Sequence, residues 1–205
     1  RKDIIKQLDL QNPTVLISSF DRANIKYFVQ PKNSVFHHIV QYLSEHPNDS
    51  GIIYCLSRKG TEDMANNLKE NGVNAAFYHA GISSTERAKV QDDFIKDKIR
   101  VMVATIAFGM GIDKSNVRFV IHADLPKNIE SYYQETGRAG RDGLPSEAIL
   151  FYSNADVMKL KKFAMIEGNE EQSTLMLKKL QHMTDFAEMQ KCRRQYLMEY
   201  FGESH

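Results

Sequence analysis

Ile52-Ile53-Tyr54-Cys55-Leu56 is an unbroken apolar run, and its length and flanks decide the fold class. Five residues suit a strand buried on both faces and are too few for a core helix. A segment of helical period follows from Thr61 to Asn71, with Glu62 and Asp63 in its first turn and Gly72 just past its end. Ala75-Ala76-Phe77-Tyr78 reads as the next strand. Ser83 with Glu86 three residues on makes a capping box for a helix that carries Val90 and Phe94 on one face. Val101–Ala104, Val117–Ile121 and Ala148–Tyr152 continue the series, and Asn128 is placed to cap a helix before the last of them. Upstream, Val35, Ile39, Val40 and Leu43 form a helical stripe that stops before Pro47. Five short strands separated mostly by helices predict an α/β domain whose parallel sheet has helices on both faces. Ligands of such sheets sit beyond the carboxyl ends of the strands. The loops after Leu56, Tyr78 and Ala104 are therefore the candidate site loops.

The flanks read differently. Residues 1–33 look like an inter-domain linker with a strand at Thr14–Ile17, since Asn12-Pro13 breaks any helix begun before it. The sheet domain is expected over 34–154 and a smaller, all-helical segment over 155–205. Six of the nine methionines fall in that segment, which suits adaptable packing better than a cofactor box. No run approaches the roughly 20 apolar residues of a bilayer span, and no signal peptide is visible, so no membrane partner is expected. Two cysteines make no disulfide framework and suggest a reducing compartment. With 27 basic and 26 acidic residues the net charge is +1, so any nucleic-acid contact must come from a local patch. A chain beginning at Arg1 is expected to be an excised fragment.

The chemistry-bearing residues cluster around these loops. In Gln134-Glu135-Thr136-Gly137-Arg138-Ala139-Gly140-Arg141-Asp142-Gly143, residues Gln134, Arg138 and Arg141 would share one face if the helix ran on. Arg carries a permanent charge and a planar fork that matches phosphate oxygens. Each glycine costs a helix about 1 kcal/mol against Ala, a cost expected where backbone or ligand approaches closely. Taken alone, such a pair is more often a solvated surface. In Thr105-Ile106-Ala107-Phe108-Gly109-Met110-Gly111-Ile112-Asp113, Gly109 and Gly111 free backbone N–H groups for an anion. Asp113 offers a carboxylate to a ribose hydroxyl or an arginine. Ser57 at a helix start suits a phosphate, and His79 at a strand end is more often a hydrogen-bonding loop residue than a metal ligand. No Gly-x-x-x-x-Gly-Lys-Ser/Thr loop and no Asp-Glu-x-His pair occurs, so the chain alone has no means of gripping ATP and its Mg²⁺.

The ten residues from Gln134 to Gly143 resemble the sixth motif of RecQ-type DNA helicases. DEAD-box RNA helicases usually open that motif with His-Arg and continue Gly-Arg-Thr-Gly-Arg, unlike this chain. The string from Ala104 to Lys114, with Val117–Pro126 after it, resembles the fifth motif. Ile53–Gly60 resembles the fourth, Tyr78–Gly81 the one between them, and Gln91 fits the same block. Cys192–Glu203 resembles the start of the RecQ zinc subdomain. Ala23 departs from the pattern, since the family commonly places Pro there.

The resemblance spans essentially the whole chain. It implies the second RecA-like domain of an ATP-dependent 3′→5′ DNA helicase acting in repair and recombination, intracellular and DNA-associated. Its partners would be single-stranded and forked DNA and the first RecA-like domain of the same polypeptide, which would hold most of ATP and Mg²⁺. By the same resemblance, Arg141 would be the arginine finger, Arg138 a second γ-phosphate or inter-domain contact, and Gln134 their orienting residue. Asp113, Gly111 and Gly109 would face the nucleotide, while Ser57, Arg58, His79 and Thr105 would line the DNA track. Cys192 would be the first of four zinc ligands in the full-length protein, with no Zn²⁺ expected in this chain alone. The competing readings are a non-catalytic RecA-like binding module, a DEAD-box RNA helicase and a metabolic Rossmann domain.

Overall fold

A computed structural model describes residues 6–14, 19–108, 112–166 and 168–203. Among the described residues six strands form one sheet: β1 (Ile25–Pro31), β2 (Ser50–Tyr54), β3 (Ala75–Tyr78), β4 (Val101–Ala104), β5 (Val117–His122) and β6 (Ser146–Tyr152). Their spatial order is β1-β6-β5-β2-β4-β3, and every neighbouring pair is parallel. The central strand is β2, where Ile53 lies between Val103 of β4 and Ile121 of β5. The helices are α1 (Val35–Glu45), α2 (Arg58–Glu70), α3 (Ser84–Ile95), α4 (Ile129–Thr136), α5 (Asn154–Ala164), α6 (Glu170–Glu188) and α7 (Arg193–Tyr200).

The side-chain period of two in β2 explains why both faces are covered. Ile53 joins Ile39 and Leu43 of α1, Leu68 of α2 and Phe119 on one face. Ile52 joins Phe94 of α3, Met102 and Val120 on the other. Burying a side chain such as Phe94 contributes about 1.5–3 kcal/mol. The sheet leaves little slack: a Cβ on Gly51 would come within 2.3 Å of the Phe119 ring. A third cluster joins Leu125, Ile129, Tyr132 and Leu150 of the sheet domain to Leu180, Met183, Phe186 and Leu197 of α6 and α7. The helical tail therefore packs onto the sheet domain.

Three expectations need correction. The sheet has six strands, not five, because β1 lies inside residues 1–33 and pairs with β6 from Ile25↔Ser146 to Pro31↔Tyr152. It is an edge strand with only Ile25 fully buried, so its sequence lacks the continuous apolar run of a central strand. The expected strand at Thr14–Ile17 lies, from Val15 onward, outside the described residues. Second, α2 starts at Arg58 rather than Thr61, because Ser57 is its N-cap and the Ser57 Oγ accepts from the Gly60 N–H at 3.0 Å. Third, α4 stops at Thr136, so Arg138 and Arg141 lie in the turns beyond it.

Candidate functional site

The carboxyl ends of β2, β4 and β3 are neighbours, which brings Ser57, Thr105 and His79 to one edge of the sheet. Ser57 and Arg58 are exposed at the start of α2. His79 is buried, and its Nδ1 accepts from the Gly81 N–H at 3.1 Å. That leaves the proton on Nε2, which donates to Glu62 Oε1 at 2.8 Å. The ring also stacks on Phe77, with centroids 5.6 Å apart. Arg58 runs beside the same turn: a Cβ on Gly81 would meet His79 Nδ1 at 3.1 Å and Arg58 Cδ at 3.3 Å. Thr105 donates its N–H to Tyr78 O at 3.2 Å and accepts from the Phe108 N–H at 3.0 Å. Cys55 is no nucleophile, since burial and then the Asp124 carboxylate push its thiol up to about 12.

The arginine turn is built differently. After α4, the Gly140 N–H donates to Val117 O of β5 at 2.8 Å, and Gly140 takes φ +57°. This left-handed residue reverses the chain and takes Arg141 off the α4 face. Arg141 Nη1 then donates to Ile112 O at 2.8 Å and reaches Asp113 Oδ1 at 3.3 Å. The Arg141 side chain is 38% exposed and that of Asp113 is 93% exposed. Arg138, by contrast, is buried beside the Tyr54 phenol, whose pKa is raised, chiefly by burial. The Tyr54 hydroxyl donates to Phe108 O at 3.0 Å, which ties β2 to the loop after β4. Gln134 is exposed on α4. Gly109 and Gly111 lie outside the described residues.

Several residues at the site were not expected. Arg22 donates to the carbonyls of Gly137, Ala139 and Gly140 at 2.9–3.1 Å. Asn24 Nδ2 donates to Gly140 O at 2.8 Å and Leu144 O at 3.0 Å. The Leu56 N–H donates to Asp124 Oδ2 at 2.7 Å, and Lys32 bridges Asp124 to Asp156 at 2.5 and 2.8 Å. Burial opposes the Lys32 charge, but these two carboxylates outweigh it and raise the pKa. His122 Nε2 and Glu135 Oε2 pair at 2.7 Å, both buried, on the wall of a cavity of about 270 Å³ that Ile106 and Phe163 also line. The ties of Arg22, Asn24, Lys32 and Asp124 have no local sequence signal, because each partner is distant along the chain.

Cys192 is exposed at the N-cap of α7. Among the described residues no three His, Cys, Asp or Glu side chains gather to hold a metal. A structural zinc site takes four ligands, so these residues do not make one. Among the described residues no helix is long and apolar enough to cross a membrane.

The family model of the helicase conserved C-terminal domain matches residues 34–143, and that of the RecQ zinc-binding region matches residues 154–205. An ATP-dependent DNA helicase RecQ of Pasteurella multocida is 51% identical over 203 residues, covering 99% of this chain and 32% of its own length. The chain spans about a third of the length of the curated relatives it matches first. The solved structure of a DEAD box protein from Methanococcus jannaschii superposes with a TM-score of 0.59 at 31% identity, over 69% of this chain and 39% of that one. The helicase Lhr of Mycobacterium smegmatis, bound to ssDNA and AMP-PNP, superposes with a TM-score of 0.56 at 25% identity, over 69% of this chain and 21% of that one. The expected α/β, RecA-like architecture is the observed one.

Proposed function

The chain belongs to the RecQ helicase family, and from that premise we propose that it is the second motor half of a 3′→5′ DNA helicase. ATP would be held between this domain and a first RecA-like domain of the same polypeptide, which brings the phosphate loop and Mg²⁺. Arg141 is the arginine finger. The observation that carries this is the contrast in exposure: Arg138 is buried, whereas the Arg141 side chain is 38% exposed and, among the described residues, is held by Ile112 O and Asp113. An exposed ion pair of that kind contributes about 0–1 kcal/mol, so a phosphate displaces it readily. The fork then stabilises charge gathering on the transferred phosphoryl oxygens. Asp113, with Gly109 and Gly111, faces the nucleotide. Buried Arg138 supports the turn from below, and exposed Gln134 faces the opposing domain.

Ser57, Arg58 and Thr105 form the DNA track, and buried His79 holds the turn at Gly81 beneath it. The hydroxyls, the guanidinium and the α2 amino end suit phosphate oxygens, so binding is insensitive to sequence and weakens with salt. Alternate closing and opening of the two domains on one strand converts hydrolysis into stepping. In the longer protein Cys192 supplies one of four zinc ligands, and the protein acts at DNA inside the cell.

The test is DNA-stimulated ATP hydrolysis by the full polypeptide, parent against Arg141→Ala, with nucleotide binding measured separately. We expect turnover to fall about 10³-fold with binding retained. Near-normal turnover would remove Arg141 from the chemistry.

A further inference from the structure

The turn that carries Arg141 is fastened by a segment more than a hundred residues earlier in the chain. Helix α4 ends at Thr136, and the turn beyond it carries Arg141. Arg22 holds three carbonyls of that turn, donating Nη1 to Gly137 O at 3.1 Å and Nη2 to Ala139 O at 2.9 Å and Gly140 O at 3.1 Å. A planar fork spans such a set, and a cation is favoured at a helix carboxyl end. Gly140 is also the residue whose positive φ sets the direction of Arg141.

The residues on either side of Arg22 are in turn gripped by the end of the helical tail. Glu203 accepts from Ser19 Oγ at 2.7 Å and from the Phe20 N–H at 3.0 and 3.1 Å. Phe20 stacks on Phe201 with centroids 4.6 Å apart and meets Tyr133 edge-on at 5.7 Å. The Tyr133 hydroxyl donates to Phe20 O at 2.7 Å. On the other side of Arg22, Arg194 of α7 pairs with Asp21 at 3.4 Å and donates to Ala23 O at 3.0 Å and Ile25 O at 3.1 Å. The segment from Ser19 to Ile25 is thus held along its length by α7 and the residues just after it, with the Arg22 fork pointing at the arginine turn.

We propose that Arg22 is a positioning residue for Arg141, and that α7 and Glu203 set the reach of Arg22, so that the helical tail acts on the nucleotide-facing arginine through the segment 19–25. This rests on the finger role given to Arg141. The device links the tail to catalysis without any tail residue touching nucleotide. Displacing Arg141 by even an ångström is enough to cost a large rate factor.

The experiment uses the full polypeptide with Arg22→Ala, Arg22→Lys and Glu203→Gln, each alone and combined with Arg141→Ala. The readouts are kcat and KM for ATP at saturating DNA, and amide hydrogen exchange over residues 137–143. With Arg22→Ala we expect kcat to fall on the order of 10²-fold with KM for ATP little changed, and exchange over 137–143 to quicken. Arg22→Lys falls between parent and Arg22→Ala, since an ammonium cannot span the three carbonyls. Glu203→Gln gives a smaller loss in the same direction. In the Arg141→Ala background neither Arg22→Ala nor Glu203→Gln lowers kcat further, because both act through the residue already removed. Losses that multiply in that background, or an unchanged kcat, would overturn the proposal and leave Arg22 a stabilising residue only. Should Arg141→Ala itself be silent, the finger reading fails. Exchange then still decides the clamp, which unchanged protection in Arg22→Ala would sink. If Arg22→Ala does not fold, Arg22→Lys and Glu203→Gln carry the same comparison.

Discussion

Ser57 is fixed by Gly60 in the helix it caps, and His79 by Gly81 in its own loop and by Glu62 of α2, 17 residues before it. The turn before Arg141 is fixed by Arg22 and Asn24, at sequence separations of 115 to 120. Both regions sit on the same sheet, yet their geometry has different sources. A strand-end loop inherits its shape from a strand, a cap and a turn that form together. The arginine turn is held by Arg22 and Asn24, just before β1, and by Val117 O of β5. The proposed functions divide along the same line. A surface that tracks a strand of DNA needs only donors at a sheet edge. A finger must meet one phosphoryl group in one geometry, and long-range ties make it responsive to the rest of the molecule.

The contrast is broken most directly at the glycines of the arginine turn. A Cβ on Gly140 would lie 2.3 Å from Asn24 Nδ2 and 2.8 Å from both Leu144 O and Ser146 Oγ, at φ +57°. Left-handed strain costs about 1–2 kcal/mol and overpacking about as much again, so Gly140→Ala should destabilise by about 3 kcal/mol. Gly143, at φ +82°, has open space around it, so Gly143→Ala should cost only about 1 kcal/mol of backbone strain. Urea unfolding of the two variants checks this. Equal losses would mean that the turn is set by its own backbone and that its remote ties contribute little.

The same division governs what the sequence discloses. Ile52–Tyr54 and Val101–Ala104 are legible because a strand buried on both faces must be apolar throughout, although β2 starts at Ser50 and ends before the expected Cys55 and Leu56. Ala75–Tyr78 is legible as well, since it is apolar throughout even though it is an edge strand with a half-buried middle. The caps Ser83 and Asn128 are legible because cap and receiving N–H lie three residues apart. β1 is hidden because an edge strand that alternates exposure resembles a linker. The helical reading of Gln134 to Arg141 extrapolated a period that Gly140 ends, and nothing local reveals that Val117 O captures the Gly140 N–H. The link from Asp113 to an arginine was open as one of two uses for that carboxylate, and Arg141 takes it up. Arg22 could not be read as a site residue at all, since its three acceptors are backbone carbonyls and carry no side-chain signature.

A smaller test sharpens the other side of the contrast. Ser57→Ala removes the side-chain oxygen that accepts the Gly60 N–H, and losing such a cap costs about 1 kcal/mol. The loss should stay local, with hydrogen exchange quickening over the first turn of α2 and unchanged over 137–143. Exchange changes that reach the arginine turn would show that the strand-end loops and the turn form one cooperative unit.

The smallest effect is a difference in labelling between the two cysteines. Cys55 directly follows the central strand, just before the Ser57 loop, and its thiol, pushed up to about 12, leaves almost no thiolate at pH 8. Cys192 is exposed at the start of α7. An alkylating reagent should therefore modify Cys192 within the ordinary time of an open thiol and reach Cys55 only when the sheet opens. The informative comparison is the Arg22→Ala protein. If the strand-end loops draw their rigidity from their own surroundings, Cys55 stays as slow in that variant as in the parent, even while the arginine turn loosens. A Cys55 that becomes fast would place the central strand under the control of the same long-range clamp, and the two regions would differ in the length of their ties but not in what those ties hold together.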